Sequence, residues 1–152
     1  MYSKQSAAFL RKQFWTNFGQ YLAPIPAAAG NKINWINYKT GARFINFKMD
    51  ASDEQAYIGI EISHNDVATQ QLFFSHFKTL RPELEDAVAE KWIWKEAVPV
   101  NGKNISRIYT TLHNINIYQQ DDWPAIITFL KNRIIVLDHF WNDHKDIFEM
   151  IA

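Results

Sequence analysis

The most constraining feature of the chain is the run from Gln55 to Ser63, in which apolar and polar side chains alternate. Ile58, Ile60 and Ile62 fall on one side of an extended chain. The intervening side chains fall on the other side: Tyr57, Gly59, Glu61 and Ser63. Because successive side chains of a strand point to opposite faces, this run predicts a half-buried strand in an antiparallel sheet.

Further strands are expected on both sides of this run. Alternation predicts strands over Ile33–Lys39 and Arg43–Met49, separated by a turn. The segment WIWKEAVPVNGKNISRIYTTL predicts a hairpin, because two β-rich runs flank the turn signal that begins at Asn101. A short strand over Ile115–Tyr118 completes a mostly antiparallel sheet of five to six strands.

Three segments have the period of a helix. The first spans about Ser6 to Leu22, and the second starts near Asn65 or Asp66 and meets Pro82. The third is capped by Asp121 or Asp122 and has Pro124 in its first turn. Pro82 predicts a kink or a restart, and the last helix would be about 40 Å long. The fold class is therefore α+β, in the order α-β-β-β-α-β-β-(β)-α. Residues 1–152 form one domain, with helices packed mainly on one face of the sheet.

Composition narrows the class of protein. Apolar residues make up 47% of the 152 residues and aromatics 15%, which predicts a large packed core rather than disorder. Sixteen basic and sixteen acidic residues balance, so nucleic-acid binding is possible but is not indicated by charge. The chain has no cysteine, no apolar run long enough for a membrane and no signal-peptide pattern, so we expect a cytoplasmic protein.

Five strings of the sequence carry a resemblance to a known family: FWTNFGQYL, INWINYKTG, YIGIEISHND, SRIY and DDWPAIITFLKNRIIVLDHFW. Together they resemble the bacterial domain-of-unknown-function family 4268, from about Arg11 to Phe148. Longer members look like a nuclease-type domain joined to this one, which implies an accessory role. The resemblance brings no catalytic residues with it.

Glu61 and His64 form one candidate site, at the end of a strand that leads into a helix. A carboxylate beside an imidazole could bind a divalent ion, whereas a helix start explains the adjacent Asn65 and Asp66 equally well. The element order also resembles that of restriction-endonuclease-like folds. Those enzymes carry an aspartate early in the second strand and a lysine two residues after a glutamate on the third. Here Asp50 lies at the end of its strand, and Ser63 stands where the lysine should follow Glu61. We therefore assign no catalytic residue, metal ligand or cofactor, and expect a protein that is not an enzyme.

Three arginines form a second candidate site. Arg11 and Arg133 fall within the apolar stripes of the first and last helices, where a charge needs a partner or an anion. With Arg107 they could bind a small anion, or each could form a structural ion pair. Four aromatic residues on strands could also form an exposed surface if helices cover only the other face, or they could belong to the core: Trp35, Trp92, Trp94 and Tyr109.

These observations predict a non-enzymatic binding or interaction domain. We expect a homo-oligomer, such as a dimer, or another protein as partner, in an accessory role to nucleic-acid processing. The alternatives are a divergent restriction-endonuclease-like enzyme that uses a metal, and a small-anion-binding domain.

Overall fold

The protein is described by a computed structural model over residues 4–151, and its elements in this range are four α-helices, one 3-10 turn and four strands. The helices are α1 (Lys4–Leu22), α2 (Val67–Thr79), α3 (Arg81–Val88) and α4 (Trp123–Ile151), and a 3-10 turn, Gln120–Asp122, leads into α4. The strands are β1 (Ile45–Ala51), β2 (Gln55–Ile62), β3 (Ile93–Val100) and β4 (Lys103–His113).

The four strands form one antiparallel sheet in the order β1-β2-β4-β3. The alternating run of the sequence is β2, which lies inside the sheet between β1 and β4. Ile60 pairs with Phe47 on one side and with Ile108 on the other. The α+β class and the antiparallel pairing are therefore confirmed.

The prediction of five to six strands is wrong, and Ile33–Lys39 is the first reason. This segment belongs to a connection without regular structure between α1 and β1. Trp35 is buried in the core, and its indole donates to the carbonyl of Ile25 at 3.0 Å. Tyr38 donates to Asp138 on α4. The alternating spacing of this segment therefore reflects tertiary contacts of single side chains and not a strand.

The strand expected at Ile115–Tyr118 is also absent from the structure. Its backbone turns, because the Asn116 side chain accepts a hydrogen bond from the amide of Tyr118 at 2.8 Å. The Ile117 amide donates to the carbonyl of Ser52, in the turn between β1 and β2. Such an Asx-type bond offers the backbone an alternative to a ladder.

Two local signals in the sequence give the structure that they predict. Asn101 and Gly102 have φ of 50° and 80° and form the two-residue loop between β3 and β4, as a hairpin turn requires. The second predicted helix stops at Thr79 and restarts as α3, with Pro82 in its first turn. There the missing amide hydrogen of proline costs no helical hydrogen bond.

The core lies between one face of the sheet and the helices. α4 is the longest element and packs against β1 and β2 as well as against the other three helices. Its buried side chains recur at helical spacing along almost its whole length: Ile126, Leu130, Ile134, Leu137, Trp141 and Phe148. No helix within residues 4–151 is long and apolar enough to cross a membrane.

A buried polar network ties α2 to the sheet where β3 bulges between Lys95 and Val98. The hydroxyl of Ser106 donates to the Gln70 side-chain oxygen at 2.7 Å and accepts from the amide of Ala97 at 3.0 Å. Gln70 in turn donates to the carbonyl of Asn104 at 2.9 Å. The polar groups of this network are thus paired, as buried groups must be.

We expect Ser106→Ala to lower the free energy of unfolding by about 1–3 kcal/mol, because it leaves the buried oxygen of Gln70 without a donor. A denaturant titration measures this change. Ser75→Ala on the exposed side of α2 is the matched control and should change the free energy by less than about 0.5 kcal/mol. Equal effects of the two variants would contradict a stabilising role for the network.

Candidate functional site

One face of the sheet points away from the helices, and we call it the open face. At the centre of β2 and β4 the side chains that point toward the helices are fully buried: Ile58, Ile60 and Ile108. The side chains between them are mostly half-buried or exposed. The open face carries these residues at its centre: Lys48, Tyr57, Gly59, Glu61, Ile93, Lys95, Arg107 and Tyr109.

Two tyrosines lie together over a glycine at the middle of the open face. Gly59 pairs with Tyr109 in the ladder, and the Tyr57 and Tyr109 rings stack with centroids 5.3 Å apart. A Cβ atom at position 59 would lie 2.7 Å from both the Tyr109 Cβ and the Tyr57 hydroxyl oxygen. Real contacts are longer than this, so the absence of a side chain at position 59 makes room for the tyrosine pair.

Arg107 and Glu61 complete the cluster, which we call the tyrosine–arginine cluster (Tyr57, Gly59, Glu61, Arg107 and Tyr109). The guanidinium carbon of Arg107 lies 4.8 Å from the Tyr109 ring centroid and 6.0 Å from that of Tyr57. Glu61 pairs with Arg107 across the strands and accepts a hydrogen bond of 2.9 Å from the Tyr57 hydroxyl. Guanidinium groups favour aromatic faces, so Arg107 is held over the rings.

The cluster combines a neutral phenol with the guanidinium of Arg107 and the carboxylate of Glu61. Burial raises the pKa of Tyr57, and the adjacent Glu61 carboxylate raises it further, while Arg107 opposes the shift. Tyr57 therefore remains a hydrogen-bond donor. The Nε atom of Arg107 is buried and makes no hydrogen bond to any described residue. Arg107 thus keeps part of its donor capacity.

Basic side chains outnumber acidic ones on the open face. The strand registers place four basic residues there, at positions 48, 95, 103 and 107, and two acidic residues, Asp50 and Glu61. Asp50 is in addition paired with Arg11, at 3.1 Å between Nη2 and Oδ1. The whole chain has no net charge, so the fold gives the open face a positive charge that the composition does not show.

The three arginines of the predicted anion site lie in different surroundings. Arg11 donates to the carbonyl of Ala51 at 2.6 Å as well as to Asp50. Burial lowers its pKa, but hydrogen bonds to Tyr118 and Asp50 outweigh this, and the pKa is raised. Arg133 binds Glu90 at 2.6 Å. Each has structural partners, and a ligand-binding role for Arg11 or Arg133 stays a prediction.

His64 occupies a loop position next to the start of α2. Its Nδ1 accepts from the amide of Asp66 at 3.0 Å, and its ring lies 4.1 Å from that of Phe44. Asp66 caps α2, because its carboxylate accepts from both the amide and the hydroxyl of Thr69. These bonds lower the pKa of Asp66. A helix start therefore accounts for this sequence, and ligand binding by His64 stays a prediction.

The acids of a nuclease-like site are far apart. Asp50 pairs with Tyr57, four residues along β2 from Glu61, which corresponds to roughly 13 Å of strand. Two carboxylates at that separation cannot hold one metal ion. Among residues 4–151 there is no group of three histidine, aspartate or glutamate side chains placed to bind a metal.

The tryptophans considered for an exposed surface belong to the core. Trp35 and Trp92 are buried, and Trp94 on β3 packs edge-on against Phe74 of α2. Tyr109, the fourth aromatic considered, lies on the open face and stacks with Tyr57. Sequence reasoning placed Tyr57 and Gly59 on the same face as Glu61 but missed their role. The spacing Tyr-x-Gly-x-Glu on a strand was the available signal.

We expect Gly59→Ala to lower the free energy of unfolding by about 1–3 kcal/mol, because the new methyl group overpacks the tyrosine pair. A denaturant titration followed by near-ultraviolet circular dichroism reports both stability and the tyrosine environment. Adding Tyr57→Phe should restore part of the loss, since it removes one of the two closest contacts. A variant with unchanged stability and an unchanged tyrosine signal would refute this account of Gly59.

Comparison with known families gives one result. The family described as Domain of unknown function (DUF4268) has a model that matches residues 10–145, most of the chain. The searches of curated proteins and of solved structures gave no match.

Proposed function

The chain belongs to the family described as Domain of unknown function (DUF4268), and we propose a function from its own surface: a non-enzymatic binding domain. Its binding surface is the open face, and its ligand is single-stranded nucleic acid. Such a domain would serve a nucleic-acid-processing system as an accessory module. The tyrosine–arginine cluster is the observation that carries this proposal.

The cluster has the chemistry that single-stranded nucleic acid requires. Aromatic rings and guanidinium planes stack on bases, and each base–aromatic stack contributes about 1–3 kcal/mol. Tyr57 and Tyr109 are half-buried over Gly59, so little side-chain entropy remains to be lost when a base binds. The guanidinium plane of Arg107 lies beside the rings, and the Tyr57 hydroxyl and Glu61 carboxylate supply polar groups for a base edge.

The charge of the open face favours a polyanion. Lys48 and Lys95 are exposed on the strands that flank the cluster, and Lys103 lies near the hairpin turn. Phosphate contacts by such side chains release counterions, and this release drives much of nucleic-acid binding. Because the open face carries four basic and two acidic side chains, the balanced charge of the whole chain does not oppose binding of nucleic acid there.

The structural partners of the two acidic residues on the open face support a non-enzymatic role. Asp50 is paired with Arg11, and Glu61 accepts from Tyr57. Both carboxylates thus have structural partners and lie far apart along the sheet. This arrangement suits a rigid surface better than a reaction centre.

Self-association through the open face is a second candidate. Ile93 on the edge strand β3 is 45% exposed beside Tyr109, and tyrosine and arginine are frequent energetic centres of protein interfaces. A dimer formed in this way would cover the tyrosine–arginine cluster. Sedimentation velocity of the full chain distinguishes it from nucleic-acid binding.

We expect the full chain to bind a fluorescein-labelled twelve-nucleotide oligo(dT) or oligo(rU) in an anisotropy titration at low salt. Arg107→Ala should raise Kd about tenfold, equivalent to about 1.4 kcal/mol. Arg81→Ala is the matched control, because Arg81 lies over the Trp94 ring at 5.0 Å but contacts a ring on the helix side of the sheet. Its Kd should equal that of the unchanged protein.

The outcomes separate the candidates. If the oligonucleotides do not bind at about 100 μM protein, or if both arginine variants weaken binding equally, the nucleic-acid proposal is wrong. If the protein instead sediments as a dimer that Arg107→Ala dissociates, self-association is the function of the open face.

We also expect Lys95→Ala to change the salt dependence of binding. Loss of one phosphate contact reduces the slope of log K against log salt by about 0.7 for a single strand. Lys32→Ala in the exposed part of the connection before β1 is the control and should leave the slope unchanged. Identical slopes for all three proteins would exclude Lys95 from the interface.

A further inference from the structure

The connection between α1 and β1 is unusually long for an ordered segment. Residues 23–44, which are 22 residues, contain no helix or strand. Connections longer than about 12–15 residues are uncommon in compact domains and are often functional. This one is held in place by buried side chains: the indole of Trp35 donates to Ile25, and that of Trp141 donates to the Thr40 carbonyl at 2.7 Å.

A buried carboxylate on α4 clamps the connection at two points. Asp138 is 4% exposed, and it accepts from the Tyr38 hydroxyl at 2.5 Å and from the Ala28 amide at 2.7 Å. Burial raises the pKa of Tyr38, as does the adjacent carboxylate, so Tyr38 stays a donor. Because burial of a carboxylate is costly without partners, this pairing defines one geometry for the connection.

A cavity of about 540 Å³ lies between the connection and the C-terminal half of α4. Its volume falls within the usual range for small-molecule sites. Ile33 and Trp141 form an apolar part of the wall, and Tyr38 and Asp138 of the clamp form another part. Amide and ammonium groups complete the lining, from Asn31, Asn34, Asn37, Lys39, Asn142 and Lys145.

The polar groups of this lining are available to a ligand. Lys39 and Lys145 form no ion pair with any residue between 4 and 151. The side chain of Asn34 accepts from the Asn37 backbone amide at 3.3 Å, while those of Asn31 and Asn142 form no hydrogen bond to described residues. The only carboxylate of the lining, Asp138, has both oxygens engaged by the clamp.

We propose that this cavity binds a small phosphorylated molecule with hydroxyl groups, in the class of sugar phosphates. The two ammonium groups bind the phosphate through charge-assisted hydrogen bonds, which are stronger than neutral ones. Asparagine amides both donate and accept, and they therefore suit hydroxyl groups. The preformed connection reduces the entropy that binding would cost.

This site is separate from the open face. The Tyr38 ring stacks on Phe47 at 5.0 Å, and Phe47 points toward the helices from β1. The cavity therefore lies on the helix side of the sheet. Its failure as a site would leave the proposed function of the open face unaffected, and the reverse also holds.

The test is a titration of isotope-labelled full chain with ribose 5-phosphate, followed by amide chemical shifts, with ribose and inorganic phosphate as separate probes. We expect saturable shifts for residues around positions 31–39 and 138–145, and weaker binding of both partial probes. Lys145→Ala should raise Kd at least about tenfold. Lys131→Ala, on the same helix but in contact with the Tyr21 ring, should leave Kd unchanged.

The proposal is overturned by no saturable shift at about 10 mM ribose 5-phosphate, by equal binding of ribose, or by equal effects of the two lysine variants. Inorganic phosphate that binds as tightly as ribose 5-phosphate would also refute a sugar phosphate site. Tyr38→Phe provides a further check, because it removes one arm of the clamp without changing charge. It should weaken binding of ribose 5-phosphate, and an unchanged Kd would contradict preorganisation by the clamp.

Discussion

The packing of α4 against one face of the sheet is the interaction on which the rest of the structure depends. α4 contacts β1, β2 and all the other helices, and its apolar stripe extends from Ile126 to Phe148. Because the helices converge on α4, they lie on the same side of a four-stranded sheet. The other side is left as the open face. The C-terminal half of α4 also supports the connection before β1 and forms one wall of the cavity.

Buried polar groups then select one arrangement among those that hydrophobic packing allows. The Ser106–Gln70 network attaches α2 at the bulge of β3, and Asp138 holds Tyr38 and Ala28. Apolar contacts have little directionality, whereas a buried polar group without a partner costs about 1–3 kcal/mol. On the open face, Glu61 orients Tyr57 in the same way, by accepting a hydrogen bond from its hydroxyl. Paired polar groups thus support both proposed binding surfaces.

Elements that depend on neighbouring residues were predicted correctly, whereas segments shaped by contacts with distant residues were not. The alternation of β2, the Asn101-Gly102 turn and the restart near Pro82 depend on neighbouring residues, and the structure contains all three. The segments Ile33–Lys39 and Ile115–Tyr118 had similar local patterns, but side-chain bonds to distant residues turned their backbones. Among the candidate site residues, Glu61 and Arg107 come together through the pairing of β2 with β4. Their separation of 46 positions gave no local signal of that contact.

Four properties follow from the sequence alone: the fold class, the strand at the centre of the sheet, the balanced total charge and the family membership. These properties depend on composition or on spacing along the chain. Three others arise only when the chain folds: Tyr57 and Tyr109 meet over Gly59, basic side chains collect on one face, and an Asn- and Lys-lined cavity forms beside α4. Each of these depends on strand register or helix docking. Strand register and helix docking depend on the packing of the whole core, and the pattern of one segment does not determine that packing.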